Sequence, residues 1–174
     1  PARARAPAGG GAPSPIPRRG GGGRVTPVSP EFLPGGRSLL CQDIGEQQRL
    51  GVVDLATGAF TPIAIGTVPL YMAPGTLVYG RTDGSIVAQP FDAGRGDTTG
   101  PATVLVQGVA SFYGSLLNFR VASNGVLAYL PVSSGGAMLR LLPGAVLSTG
   151  SRFWSPRVSP DGRRIAFSSD RSGN

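Results

Sequence analysis

Residues 154–170 read WSPRVSPDGRRIAFSSD, which is the pattern of two strands joined by a tight turn. In the turn, residues 159–162, proline presets φ at the second position, aspartate can bond to the local backbone, and glycine adopts a conformation that other residues resist. The strand that follows alternates large apolar and small side chains, the period of a half-buried strand. We therefore interpret Asp161 as a turn former rather than a catalytic carboxylate.

The same pattern recurs upstream at intervals of about forty residues. The turn glycines stand at positions 36, 75, 125 and 162, separated by 39, 50 and 37 residues. Each turn is followed by material for further strands, and no stretch has a convincing helical period. Repeats of this length, built from four short strands, are typical of a β-propeller. The residues assigned to these turns are Pro34, Gly36, Gly75, Gly125, Ser159, Pro160, Asp161 and Gly162.

We therefore expect an all-β chain, a partial β-propeller of four-stranded antiparallel blades with about three blades and the start of a fourth. A low-complexity stretch of Ala, Pro, Gly and Arg precedes it and is predicted to be a disordered linker. The predicted boundaries are 1–24 for the linker, 25–65, 66–108 and 109–150 for the blades, and 151–174 for the incomplete fourth blade, within a propeller spanning 25–174.

The net charge of +7 is unevenly distributed along the chain. Residues 1–24 hold five of the 16 basic residues and no acid, whereas the rest has eleven arginines against nine acidic residues. We interpret the basic stretch as a solvated linker, with contact to anionic lipid or nucleic acid as the alternative. The remainder lacks the basic, aromatic-rich face of a nucleic-acid-binding domain, so no nucleic-acid partner is predicted. No run of about 18 apolar residues occurs, so no direct membrane insertion is predicted.

The residue types present exclude several kinds of chemistry. The chain has no histidine, which removes Ser-His-Asp triads and histidine-ligated zinc from this segment. Cys41, the single cysteine, is interpreted as a small core residue. Asp92 and Asp97 lie in a glycine-rich loop, which suggests a calcium site. The ligand spacing and the distal glutamate of a calcium-binding loop are missing, however. We predict no catalytic residue, no metal site and no cofactor, and hence no enzyme in this segment.

Three aromatic residues allow two interpretations. Packing between neighbouring sheets is favoured, and a ligand-binding platform is the alternative. These residues are Tyr113, Phe153 and Trp154.

Two stretches of the chain resemble known families. Residues 156–167 resemble the WD40-like repeat of TolB-type propellers. The succession of 75–79, 84–92, 99–101 and 124–129 is similar to the propeller C-terminal to the kinase domain in bacterial receptor-like serine/threonine kinases. The second resemblance implies a parent protein with a kinase domain, a membrane helix and an extracytoplasmic propeller, of which this chain is a part. The glycine-rich loop, HRD and DFG motifs of kinases are absent from the chain, so no catalytic residue is carried over.

From these features we expect a non-catalytic sensing or protein-interaction module on the extracytoplasmic, periplasmic side of a bacterial membrane. A protein partner or small ligand would bind the loops around the propeller mouth and alter the arrangement of the attached domains. Two alternatives stay open: the propeller of a prolyl-oligopeptidase-type serine peptidase, and a free-standing TolB-like periplasmic protein. Kinase motifs upstream, a Gly-x-Ser-x-Gly motif downstream, or only a signal peptide would separate the three.

Overall fold

The computed structural model describes residues 4–6, 8–16, 27–44, 47–112, 116–132, 138–144, 146–148, 153–159 and 161–169. Every regular element in these ranges is a β-strand. The strands are β1 (Ala4–Arg5), β2 (Ser14–Pro15), β3 (Pro27–Phe32), β4 (Ser38–Asp43), β5 (Arg49–Asp54), β6 (Phe60–Ile65), β7 (Thr67–Met72), β8 (Thr76–Gly80), β9 (Ile86–Asp92), β10 (Asp97–Thr98), β11 (Thr103–Val106), β12 (Ser111–Phe112), β13 (Leu116–Leu117), β14 (Phe119–Val121), β15 (Leu127–Tyr129), β16 (Met138–Leu142), β17 (Val146–Ser148), β18 (Phe153–Val158) and β19 (Ile165–Ser169).

These strands form successive antiparallel sheets. The first sheet has the order β3-β4-β5-β6, and the second has β7, β8 and β9 in order with both β10 and β11 paired to β9. The third sheet is β14-β15-β16-β17, and the fourth is the pair β18-β19. Neighbours in the chain are neighbours in each of the first, third and fourth sheets, which is the up-and-down order of a propeller blade. The prediction of an all-β partial propeller is confirmed.

Apolar side chains from consecutive sheets pack into shared clusters. Each cluster joins one sheet to the next, so burial of the two faces holds the stack together. The cluster of the first and second sheets includes Leu40, Leu50, Leu77, Val87 and Phe91. The cluster of the second and third includes Val78, Ile86, Phe119, Leu127 and Tyr129. The cluster of the third and fourth includes Ala128, Leu130, Leu139, Val158 and Ile165.

Polar side chains also join the first sheet to the second. The Val68 amide donates a hydrogen bond to Gln42 Oε1, and the Tyr71 amide donates one to Glu31 Oε2, both at 3.1 Å. Both amides belong to β7, which is the edge strand of its sheet. An edge strand leaves amides without ladder partners, and here side chains of the preceding sheet accept from them.

Aspartate side chains close two equivalent hairpins. Asp54 Oδ1 accepts from the amides two and three residues later at 3.0 and 2.7 Å, and Asp92 Oδ1 does the same at 2.8 and 3.0 Å. In both, the glycine four residues on, Gly58 or Gly96, donates to the aspartate carbonyl at 2.8 Å and has a positive φ. The β5–β6 and β9–β10 turns are thus built in the same way.

The disordered linker predicted over residues 1–24 stays a prediction, as do the boundaries of the blades. Within that stretch, Ala4–Arg5 pairs antiparallel with Ser14–Pro15, and the Ile16 side chain is buried. The low-complexity composition did not predict this local pairing. In the described ranges, no helix has the length and apolar character to cross a membrane.

Candidate functional site

The predicted turn glycines lie between the first and second strands of the four sheets. Each donates its amide to the carbonyl three residues earlier, at 2.8 to 3.1 Å. Gly36, Gly125 and Gly162 have φ of 65°, 86° and 70°, a region that favours glycine. Gly75 departs from this pattern: it follows a cis Ala73–Pro74 bond, and its φ lies outside the positive region.

The Ser-Pro-Asp-Gly turn is held by its own polar side chains. Asp161 Oδ1 accepts from Ser159 Oγ at 2.6 Å and from the Arg163 amide at 3.1 Å, while the Arg164 amide donates to Ser159 Oγ at 2.9 Å. These bonds, that from Ser159 first, hold the pKa of Asp161 below its ordinary value. The Asn124 side chain donates to the Asp161 carbonyl at 3.1 Å, so the third and fourth turns touch. Pro34 lies exposed in the first turn, and Pro160 falls outside the described residues.

The first strands of three sheets share a second motif that the sequence analysis missed. Pro30, Pro69 and Pro156 each stand six residues before a turn glycine. The residue before each proline has a φ of 50° or 51°, and a β-bulge interrupts the strand there. The repeated Ser-Pro pair at 29–30 and 155–156 is the sequence signal that could have located this bulge.

The residue after each of these three bulges has an equivalent in the third sheet, at the same distance from the turn glycine. We call the set Glu31, Leu70, Arg120 and Arg157 the axial cluster; each stands five residues before its turn glycine. Their partners on the second strands are Leu40, Val78, Ala128 and Ala166, respectively. All four lie on edge strands, and the charges of Glu31 and Arg157, which belong to two other sheets, both act on Arg120. In addition, β3 contacts β7 and β14 contacts β18, so the first strands of these neighbouring sheets lie next to each other, as expected near a propeller axis.

The two arginines of the axial cluster have matching geometry. Arg120 Nη1 donates to the Phe119 carbonyl at 2.8 Å, and Arg157 Nη1 donates to the Pro156 carbonyl at 3.1 Å, in each case to the preceding residue. Burial first, and then the charge of Arg157, lower the pKa of Arg120 to about 10, so its guanidinium stays charged at neutral pH. Arg120 is half-buried and Arg157 is exposed.

Glu31 is the acidic member of the axial cluster. Burial raises its pKa, and the bond from the Tyr71 amide and the charge of Arg120 oppose that rise. The cluster thus carries two positive charges and one negative charge when its members are ionised. In the ranges that the structure describes, the ion pair within 4 Å is Arg49–Asp43 in the first sheet, which lies outside the axial cluster.

The other residues considered from the sequence contribute to structure. Asp92 closes a hairpin, and Asp97 Oδ1 accepts from the Thr98 amide at 2.8 Å. Among the described residues, no group of three or more His, Cys, Asp or Glu could hold a metal ion. Cys41 lies buried in β4. Tyr113 and the side chains of Phe153 and Trp154 fall outside the described residues, so the choice between packing and a binding platform stays open there.

Comparison with known proteins supports the fold. No protein-family model and no curated protein sequence matches the chain. Among solved structures, the chain is similar to a protein assigned as TolB from Agrobacterium tumefaciens, with a TM-score of 0.62 and 16% sequence identity. The match covers 99% of this chain and 65% of that chain. At this identity the likeness shows the TolB-like propeller fold, and the chain spans about 65% of that protein's length.

Proposed function

We propose that the chain is a non-catalytic sensing or protein-interaction propeller module, the extracytoplasmic part of a bacterial serine/threonine kinase. The observation that carries the recognition role is the axial cluster, which has charged side chains on edge strands of the first, third and fourth sheets, where the charges of Glu31 and Arg157 act on Arg120, at the expected opening of the propeller. Propellers bind partners at such openings, whereas the sheets behind them serve as a scaffold.

The chemistry of this cluster favours binding over catalysis. An arginine guanidinium donates hydrogen bonds and holds charge, but it does not exchange a proton at neutral pH. Glu31, the acid beside it, is held by a backbone amide of the next sheet, which suits a positioning role. The described aspartates at positions 54, 83, 92 and 161 each accept hydrogen bonds within their own turns.

The kinase context rests on the sequence resemblance, and the likeness to the TolB structure favours a second candidate, a free-standing periplasmic partner protein. In either case the module acts outside the cytoplasm and binds a protein or a small ligand through its loops. The coding sequence on both sides of this chain decides between them. Kinase motifs upstream support the first proposal, a signal peptide alone supports the second, and a Gly-x-Ser-x-Gly motif downstream would overturn both in favour of a peptidase.

The recognition role has its own test. The chain is immobilised, partners are captured by cross-linking, and each purified partner is then titrated by biolayer interferometry. Saturable binding by a purified protein from the same bacterium supports the proposal. The absence of saturable binding for every purified candidate would contradict it.

A further inference from the structure

We propose that Arg120 and Arg157 form a binding site for a carboxylate group of a protein partner, a proposal that rests on the interaction function proposed above. The two arginines lie on β14 and β18, and each stands five residues before a turn glycine. These strands belong to adjacent sheets and contact each other. Each guanidinium is anchored by the carbonyl of the preceding residue, so both are fixed in the same way.

The anchoring leaves most donors of each arginine for a ligand. A guanidinium has five N–H donors, and one Nη1 bond to the backbone occupies a minor part of this capacity. The planar fork matches the two oxygens of a carboxylate, which gives shorter and stronger hydrogen bonds than neutral groups make. Half-burial of Arg120 reduces screening by salt, and the exposure of Arg157 provides access from solvent.

The charge of the axial cluster selects the kind of anion. Glu31 accepts from the Tyr71 amide and compensates part of the positive charge, while Leu70 adds none. Among the described residues, no carboxylate lies within 4 Å of either axial arginine. The cluster therefore has a surplus of one positive charge, which suits a singly charged carboxylate better than a doubly charged phosphate.

The test is isothermal titration calorimetry of the 174-residue chain at low salt, at a concentration at which light scattering shows a constant particle size in every variant. The probes are a blocked peptide that alternates glycine and aspartate, the same peptide with asparagine, and inorganic phosphate. The variants are Arg120→Gln, Arg157→Gln and Glu31→Gln, with Arg163→Gln as the control because Arg163 is an exposed arginine of the nearby turn.

We expect the aspartate peptide to bind and the asparagine peptide not to bind. Affinity should fall roughly tenfold in either axial arginine variant, since each loses a charge-assisted pair of hydrogen bonds. Affinity should rise several-fold in Glu31→Gln, which keeps an acceptor oxygen for the Tyr71 amide and removes the competing charge. Such a gain cannot come from a folding defect. Arg163→Gln should change affinity by less than about twofold.

Three results would overturn the carboxylate site: no binding of the aspartate peptide, equal affinity in the wild type and both axial arginine variants, or tighter binding of phosphate than of the peptide. If purified protein partners bind while the peptide does not, the interaction function stands and this site fails. If the peptide binds at the arginines while no protein partner does, the site stands and the interaction function fails.

Discussion

Position 162 combines two separate reasons for glycine. Its φ is 70°, and a Cβ there would collide with the Asn124 side chain. Gly36 is the matched position of the first sheet, with φ of 65° and open space around it. We expect Gly36→Ala to lower the free energy of unfolding by about 1–2 kcal/mol from backbone strain, and Gly162→Ala to lower it by about 1 kcal/mol more from the contact with Asn124. Chemical denaturation of both variants measures the difference, and equal losses would contradict the role of Asn124.

The carboxyl of Asp161 makes the stability of its turn depend on pH. Hydrogen bonds from Ser159 and Arg163 hold its pKa below the ordinary value of 3.8. Such a group contributes stability that is present above the unfolded pKa and is lost as pH falls through the folded pKa. We therefore expect wild type to be more stable than Asp161→Asn near neutral pH, with the gap closing below about pH 4.

Thermal unfolding of both proteins across this pH range measures that gap. In a Ser159→Ala background, the loss of stability caused by Asp161→Asn should depend less on pH, because the Ser159 hydroxyl is the main cause of the pKa shift. A gap that is constant with pH would contradict the assignment.

The pKa of Glu31 is shifted in the opposite direction to that of Asp161, so its effect on stability has the opposite pH dependence. Burial raises its pKa above the ordinary value of 4.5, so the stability that it contributes is present below pH 4.5 and is lost as pH rises through the folded pKa. We expect Glu31→Gln to gain stability relative to wild type as pH rises through this window, as measured by thermal unfolding. A gain that does not change with pH would contradict the role of burial.

At the scale of one element, the packing of β5 against β6 requires glycine at position 51. A Cβ at Gly51 would lie against the Phe60 ring and 2.5 Å from the Thr61 carbonyl oxygen of β6. Backbone cannot move aside as a flexible side chain can, so we expect Gly51→Ala to cost about 1–3 kcal/mol through overpacking. Gly9→Ala, with no atom within 4 Å, is the control and should be neutral. Unfolding in urea compares the two, and a neutral Gly51→Ala would contradict the close packing of β5 on β6.

The sequence predicts the turns of this chain better than the contacts between strands of different sheets. The turns at Gly36, Gly125 and Gly162 were predictable because turn chemistry depends on a few adjacent residues. The axial cluster was not, because the convergence of edge strands depends on how whole sheets stack. The bulges before Glu31 and Arg157 also interrupt the alternation of side chains between the two faces of the strand. The sequence pattern alone therefore does not predict which face of the sheet carries either residue.

At the scale of the whole molecule, the fourth sheet contains two strands in the part of the chain that the structure describes. In the described residues β19 pairs with β18 alone, and Phe167 on β19 is 38% exposed. An edge strand with an exposed aromatic side chain favours association with another chain. We expect the 174-residue chain expressed alone to oligomerise or aggregate, as measured by light scattering. A monodisperse monomer with a cooperative calorimetric transition would contradict this.

In the hydrogen bonds from Val68 and Tyr71 to Gln42 and Glu31, the second sheet contributes backbone atoms and the first sheet contributes side chains. Both donors are main-chain amides, which any substitution except proline retains. Substitutions other than proline at positions 68 and 71 therefore retain both donors, whereas the apolar cluster between the two sheets depends on the side chains of both. Only substitutions at Gln42 and Glu31 remove a side-chain partner of these two bonds, and Glu31 also supplies the negative charge of the axial cluster.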